Sequence, residues 1–209
     1  MGRKKSGRLA AHGFQKRVDD LVTYCRSARD ALKQQQAAAG GRDRSDLFTT
    51  WTYEGALIKL AAAFDRMMLD CLVAAINNDT TATATVIGVS LPTHLTDEVC
   101  EYLVVGGGYF DYKGREGLIK ALKSYLPDTH YLVAIVKDPA FRQTLDQGLA
   151  LRNFGAHESK KSKEAARNAV GVNLASAGAW LKRENGRRFE TIANRLKQLA
   201  QRIEAAAPH

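Results

Sequence analysis

The sequence predicts an all-α protein, an antiparallel helical bundle with extra short helices and loops between its longer members. Three observations carry that prediction. Apolar residues recur at spacings of three and four through most of the 209 residues, which is the period of a helix face. Glycine and proline interrupt this pattern at distances that leave room for whole helices. The β-prone run from Val86 to Leu91 stands alone, and one short strand cannot make a sheet.

Residues 1–12, with Arg3, Lys4, Lys5 and Arg8, read as a basic disordered arm, followed by a single helical domain over residues 13–205. From Phe14, the positions Val18, Leu21, Val22, Cys25, Ala28 and Leu32 form one apolar stripe. It fades into Gln34, Gln35 and Gln36, and Gly40-Gly41 ends it. Ser45 or Asp46 can cap a short piece, and Thr49 or Thr50 the next helix. Leu57, Leu60, Phe64, Met67, Met68, Cys71, Leu72 and Ile76 make that helix apolar over more than half its circumference, so it is expected to be the most buried. Met67 and Met68 read as core fillers.

Asn77 to Thr85 reads as a polar loop, and Val86 to Leu91 as a short extended piece closed by Pro92. Thr96-Asp97-Glu98 can cap a helix through Cys100 and Leu103, which Gly106-Gly107-Gly108 ends. A phosphate-cradling glycine loop follows a strand and opens a helix directly. Here Tyr109, Phe110 and Tyr112 follow instead, which favours a packed loop. Arg115 to Tyr125 reads as a short helix. His130 to Lys137 is compatible with helix or strand, and Asp138-Pro139 punctuates it. Phe141, Leu145 and Leu149 restore helical spacing. Glu158 to Lys163 reads as a basic loop, Glu164 to Leu181 as a helix, and Asn185-Gly186 as a break. Phe189, Ile192, Leu196, Leu199 and Ile203 form the last helix, with a loose tail after Ala205.

The formal net charge is +9, which favours an anionic partner such as nucleic acid. Cys25, Cys71 and Cys100 are far apart and odd in number. They predict neither a zinc site nor a disulfide framework, but three reduced, mostly buried thiols. None of the five histidines pairs with a second His or a Cys at ligand spacing, so no metal and no cofactor is expected. The basic start is not followed by an apolar signal region, and no apolar run is long enough to span a bilayer. A cytoplasmic protein without membrane contact is the expectation.

The chemistry concentrates in Leu149-Ala150-Leu151-Arg152-Asn153-Phe154-Gly155-Ala156-His157-Glu158. Arginine keeps its charge and presents a planar fork of donors suited to phosphate. Histidine can take or give a proton near neutral pH. Cleaving RNA without a metal needs both functions. On a helix, Asn153 and His157 share a face, where Asn153 can fix the imidazole tautomer. Arg152 and His157 are five apart and leave the axis in different directions. The long Arg stem, or a second copy of the motif across a dimer, would bring them together.

The Arg152-Asn153-x-x-x-His157 pattern, late in an all-helical chain, resembles the signature of the HEPN superfamily. The likeness covers roughly residues 14–202. It includes the long early helix from Tyr53 to Asn78 and the Gly106–Tyr112 run, which is similar to the middle of the RiboL-PSP-HEPN branch. The resemblance implies a metal-independent endoribonuclease that acts as a homodimer, in defence or toxin–antitoxin biology, with RNA as substrate and an antitoxin or other regulatory protein as a possible partner. It implies catalytic roles for Arg152, His157 and Asn153. It also implies support from an acidic or polar residue on the early helix, for which Glu54 is the candidate and Asp65 and Asp70 are less well placed. The alternative for Glu54 is favourable charge at a helix N-terminus. Lys160, Lys161 and Lys163 either hold phosphates flanking the scissile bond or form a solvated loop. Ser159 stands where toxins controlled by nucleotidyltransferases carry a Tyr, so the likeness does not extend to that control. A catalytically inactive helical module binding RNA or protein is the alternative to the enzyme.

Overall fold

A computed structural model describes residues 5–38, 44–110 and 112–208, and these are all-α. Among them there is no strand. The long helices are α1 (Gly7–Ala38), α2 (Ser45–Asn78), α7 (Pro139–His157) and α10 (Arg187–Ala206). Between α2 and α7 lie α3 (Thr80–Ile87), α4 (Asp97–Val105), α5 (Gly114–Lys123) and α6 (Tyr131–Lys137). Between α7 and α10 lie α8 (Lys160–Val170), α9 (Ala177–Leu181) and a 3-10 turn over Glu184–Gly186. Arg3, Lys4, the Gly40-Gly41 stop and Asp111 lie outside the described residues.

The chain divides into two compact units, each assembled from segments distant in sequence. One takes the chain up to Gln15, then Ala63–Arg142, then the chain from Lys197. Its core is Phe14, Phe64, Met68, Leu72, Leu118, Leu122, Leu132 and Ile203, all buried. Ion pairs knit its polar side. Lys5 Nζ lies 2.7 Å from both Asp70 and Glu101, and Arg66 contacts the same two carboxylates. The nearly buried Arg115 guanidinium donates to the carbonyls of Val136 and Lys137 at the end of α6. Those are orphan groups that a helix leaves at its C-terminus.

The other unit takes Lys16–Ala62 and Gln143–Leu196. Tyr53 and Phe189 pack edge to face at its centre, ring centroids 5.7 Å apart. Arg26 pairs with Glu190 at 2.6 Å, and Lys33 donates to Asn185 Oδ1 at 3.1 Å. Arg29 donates to the Asn185 carbonyl. These contacts tie α1 to the turn that starts α10. Gly186, at φ 85°, sits so close to Tyr53 that a Cβ there would overlap the phenol oxygen. Asn185-Gly186 is thus a turn locked by packing as well as a break in the helical pattern.

The structure corrects several expectations. Lys5 to His12 is not an arm: α1 starts at Gly7, Ser6 Oγ accepts from the Leu9 amide, and Ala11 is buried. Small residues carry little periodic signal, and the acids that hold Lys5 lie far along the chain. Ser45 opens one continuous helix rather than a short piece. Thr80–Ile87 is one helix, which replaces most of the loop expected over Asn77–Thr85 and the first two residues of the extended piece expected over Val86–Leu91. Its β-branched residues have modest helix propensity, but Asp79 caps its start and Gly88 at φ 71° closes its end. Glu158 to Lys163 is not a loop either. Ser159 caps α8 by accepting from the Ser162 amide, so the three lysines occupy its first turn. The helix expected over Glu164–Leu181 is broken by Gly171, and α9 restarts from a Ser176 cap. Tyr109 is 96 % exposed, so the aromatic loop is only partly packed, although Tyr112 donates to Asp65. The last helix reaches Ala206.

All three cysteines are buried, and none is part of a disulfide. Burial pushes the Cys25 and Cys71 thiols up to about 12, which keeps them protonated. Among the described residues, no helix is long and apolar enough to cross a membrane, and no group of three His, Cys, Asp or Glu could hold a metal ion.

Candidate functional site

The motif occupies the last two turns of α7. Pro139 starts that helix at a position where its missing N–H costs nothing, and Asp138 Oδ1 accepts from the Ala140 amide at 2.8 Å. Leu151 and Phe154 are buried and fix the rotation of the helix. That rotation leaves Arg152 and Asn153 half-buried and His157 exposed at the C-terminus. Arg152 and His157 therefore leave the axis about 140° apart at about 100° per residue, and one α7 does not point them at a common spot. Asn153 and His157 lie one turn apart. Among the described residues no hydrogen bond joins them, so the imidazole is not held by Asn153.

Glu54 reaches the motif helix from α2. Its Cγ would lie 3.6 Å from a Cβ on Gly155, so the absence of a side chain at Gly155 lets the two elements approach. Glu54 Oε1 accepts from the Gly178 amide at 3.0 Å, in the first turn of α9. A Cβ on Gly178 would overlap the Thr50 carbonyl oxygen and come within 2.9 Å of Glu54 Cγ. Glu54 thus has a definite structural role, joining α2, α7 and α9. It is not a helix N-terminal charge on its own element, since α2 begins at Ser45.

Beside this junction is an open cleft of about 230 Å³, lined by Glu54, Phe154, Glu158, Lys163 and Ser176 among others. Of the expected site residues, the structure brings Glu54 and Lys163 together here, on opposite sides of Phe154 in sequence. Arg152, Asn153 and His157 do not line this cleft. His157 is covalent neighbour to one of its walls, Glu158. That residue has φ 47°, in the left-handed region, and its amide donates to the Phe154 carbonyl at 2.9 Å. A glycine would hold that helix ending with less strain.

Lys160 and Lys163 are three apart on α8, and Arg167 follows four later, so the three share one side of the helix. Lys161 lies about 100° round from Lys160. All four are exposed, and among the described residues none has an ion-pair partner. Lysines in a first turn face the positive end of the helix dipole, an unfavourable placement that a bound anion would offset. Arg167 escapes the sequence reading because Lys160 and Lys163 read as loop while Arg167 falls in a separate helix. Taken as a helix, the spacing Lys160-Lys163-Arg167 reveals it. Phe154, Glu158 and Ser176 carry no sequence signal of a shared cleft. No family model, curated protein or solved structure matches this chain.

Proposed function

We propose that this chain is a metal-independent endoribonuclease of the HEPN type that acts as a homodimer. The observation that carries the reading is the Arg152-Asn153-x-x-x-His157 segment at the exposed C-terminal end of α7, adjoining the unpaired basic face of α8. An imidazole that must exchange protons with RNA has to be open to it, and His157 is exposed. Lys160, Lys161, Lys163 and Arg167 supply the positive surface on which a phosphodiester chain can lie.

In this reading, Arg152 binds the non-bridging oxygens of the scissile phosphate and stabilises the charge added in the transition state. The ribose 2′-oxygen attacks phosphorus, its proton passes to a base, and the 5′-oxygen leaves with a proton from an acid. His157 serves one of these two steps. The products are a 2′,3′-cyclic phosphate and a 5′-hydroxyl. Asn153 contacts substrate, since it does not hold His157. The angular separation of Arg152 and His157 favours a composite site in which two copies of α7 line one groove. Leu47, Phe48, Trp51 and Ile58 are exposed on one side of α2 and offer an apolar face for a second copy, with Trp51 55 % exposed. Defence or toxin–antitoxin biology, under an antitoxin or other regulatory protein, is the setting the HEPN likeness suggests.

A second reading, a catalytically inactive module that binds RNA or a protein, draws on that same angular separation. One experiment decides between them. Native protein and His157→Ala are incubated with RNA in EDTA. The proposal expects cleavage by the native protein and its loss in the variant. Cleavage only with added metal, or equal activity of both, removes the enzyme reading. Salt-sensitive binding without product leaves the module.

A further inference from the structure

We infer that the cleft between Glu54, Phe154, Glu158 and Lys163 is a base-recognition subsite that takes guanine, an inference that rests on the ribonuclease reading above. The lining selects the ligand class. Glu54 and Glu158 bring two carboxylates and Lys163 one ammonium, so negative charge is in excess there. A phosphate would be repelled and belongs on the Lys160–Arg167 side of α8. A neutral group rich in N–H donors fits, because an ionised carboxylate only accepts hydrogen bonds and an ammonium only donates.

Guanine matches this set on its Watson–Crick edge. Its N1–H and 2-amino group are adjacent donors, suited to a carboxylate, and its O6 is an acceptor for an ammonium. Uracil presents two carbonyls around one N–H, and the carboxylates would face those oxygens. Adenine and cytosine place an unprotonated ring nitrogen beside the amino group, which a carboxylate also opposes. A cleft of about 230 Å³ accommodates one base, being smaller than sites for drug-sized ligands. Phe154, itself buried, contributes the edge of an apolar floor beneath the two carboxylates.

Both acids are prepared for such a ligand. Glu54 is oriented by the Gly178 amide through Oε1, and among the described residues Oε2 makes no hydrogen bond. Glu158 is exposed at the end of α7, with its carboxylate open to a ligand in the cleft.

The test uses the full chain carrying His157→Ala, so that RNA stays intact, and fluorescence anisotropy with labelled uridine pentamers. The central residue is guanosine, inosine, adenosine or uridine. The guanosine pentamer should bind about tenfold more tightly than all-uridine RNA. Inosine, which lacks the 2-amino group, should fall between them. Adding Glu158→Gln should abolish the preference, so that the variant binds guanosine and uridine pentamers equally. Glu54→Gln, with folding checked by thermal melting, should do likewise. Equal affinity for guanosine and uridine RNAs, or a guanosine preference that survives both Gln substitutions, overturns the assignment. Native protein is scored in parallel for cleavage in EDTA. Cleavage without a guanine preference removes the subsite and leaves the nuclease. A guanine preference without cleavage removes the nuclease and leaves a guanine-binding cleft.

Discussion

In the unit that holds α3 to α6, several charged side chains meet opposite charges or orphan carbonyls. Lys5 and Arg66 share Asp70 and Glu101, Arg202 pairs with Asp138, and Arg115 closes the end of α6. In the unit that holds the end of α7, charge is treated differently on its two sides. Arg26–Glu190 and Lys182–Asp46 are paired, whereas Lys160, Lys161, Lys163 and Arg167 gather on α8 without acidic partners among the described residues. The same unit keeps three non-glycine residues, Glu158, Glu184 and Asn185, in left-handed backbone and leaves a cleft open beside the first. The first unit shows its charges mainly as ion pairs, whereas the second gathers like charges on α8 next to an open cleft and a left-handed Glu158. Like charges left together beside a cleft are a cost to stability that an anionic ligand would offset.

Substitutions should separate the two units. Arg152→Lys keeps the charge and loses the planar fork, so RNA cleavage in EDTA should fall about 10²-fold, measured as initial rates. If the rate is unchanged, the arginine does not bind the reacting phosphate. Arg115→Met, in the other unit, should destabilise the fold by about 2 kcal/mol in urea titrations, because the Val136 and Lys137 carbonyls lose their donor. RNA affinity of the folded variant should not change.

Replacing Lys160, Lys163 and Arg167 by Ala should weaken RNA binding and make it less salt-dependent. The slope of log K against log salt should shrink by about 2, at about 0.7 per lost phosphate contact on a single strand. An unchanged slope would mean this face is a solvated surface. Glu158→Gly should stabilise the protein by about 1 kcal/mol by relieving the left-handed position. A loss of stability there would show that the Glu158 side chain is held by contacts rather than strained.

The smallest effect expected is a pH dependence from His130, which belongs to the paired unit. Burial holds its pKa below the ordinary value, with Asp79 opposing, and its Nδ1 accepts from the Leu132 amide as the cap of α6. The folded state thus favours neutral imidazole while the unfolded chain protonates near pH 6.5. Its contribution should be intact above about pH 6.5 and decline as pH falls towards the lowered folded value. His130→Asn, which can still cap, should flatten that slope in melts across this range. An equal slope in the variant would place the dependence elsewhere.

Much of the fold was legible in residue spacing. The stripe from Phe14, the apolar α2, the Gly106 stop and the Asn185-Gly186 break are local features, and local physics predicts them. The failures are equally specific. Asn77–Thr85 reads as loop and Val86–Leu91 as extended because threonine and valine have modest helix propensity, yet caps at both ends make Thr80–Ile87 a helix. The α1 start is hidden because what orders Lys5 lies at Asp70 and Glu101. At the site, Arg152, Asn153 and His157 were visible as a pattern. Glu54 was visible only as an acid on the early helix. Its hold on Gly178 and its approach to Gly155 are long-range packing facts. The cleft could not be read at all, since Glu54, Glu158 and Ser176 meet only in three dimensions.

The central claim is that Arg152 and His157 break a phosphodiester using the neighbouring 2′-oxygen. Its most direct test is end-group analysis of a defined RNA oligonucleotide treated with native protein in EDTA. The account predicts fragments ending in a 2′,3′-cyclic phosphate and beginning with a 5′-hydroxyl. The same substrate with a 2′-deoxy sugar at the cleaved position should stay whole. Fragments bearing 3′-hydroxyl and 5′-phosphate ends, or cutting at the deoxy position, would contradict it.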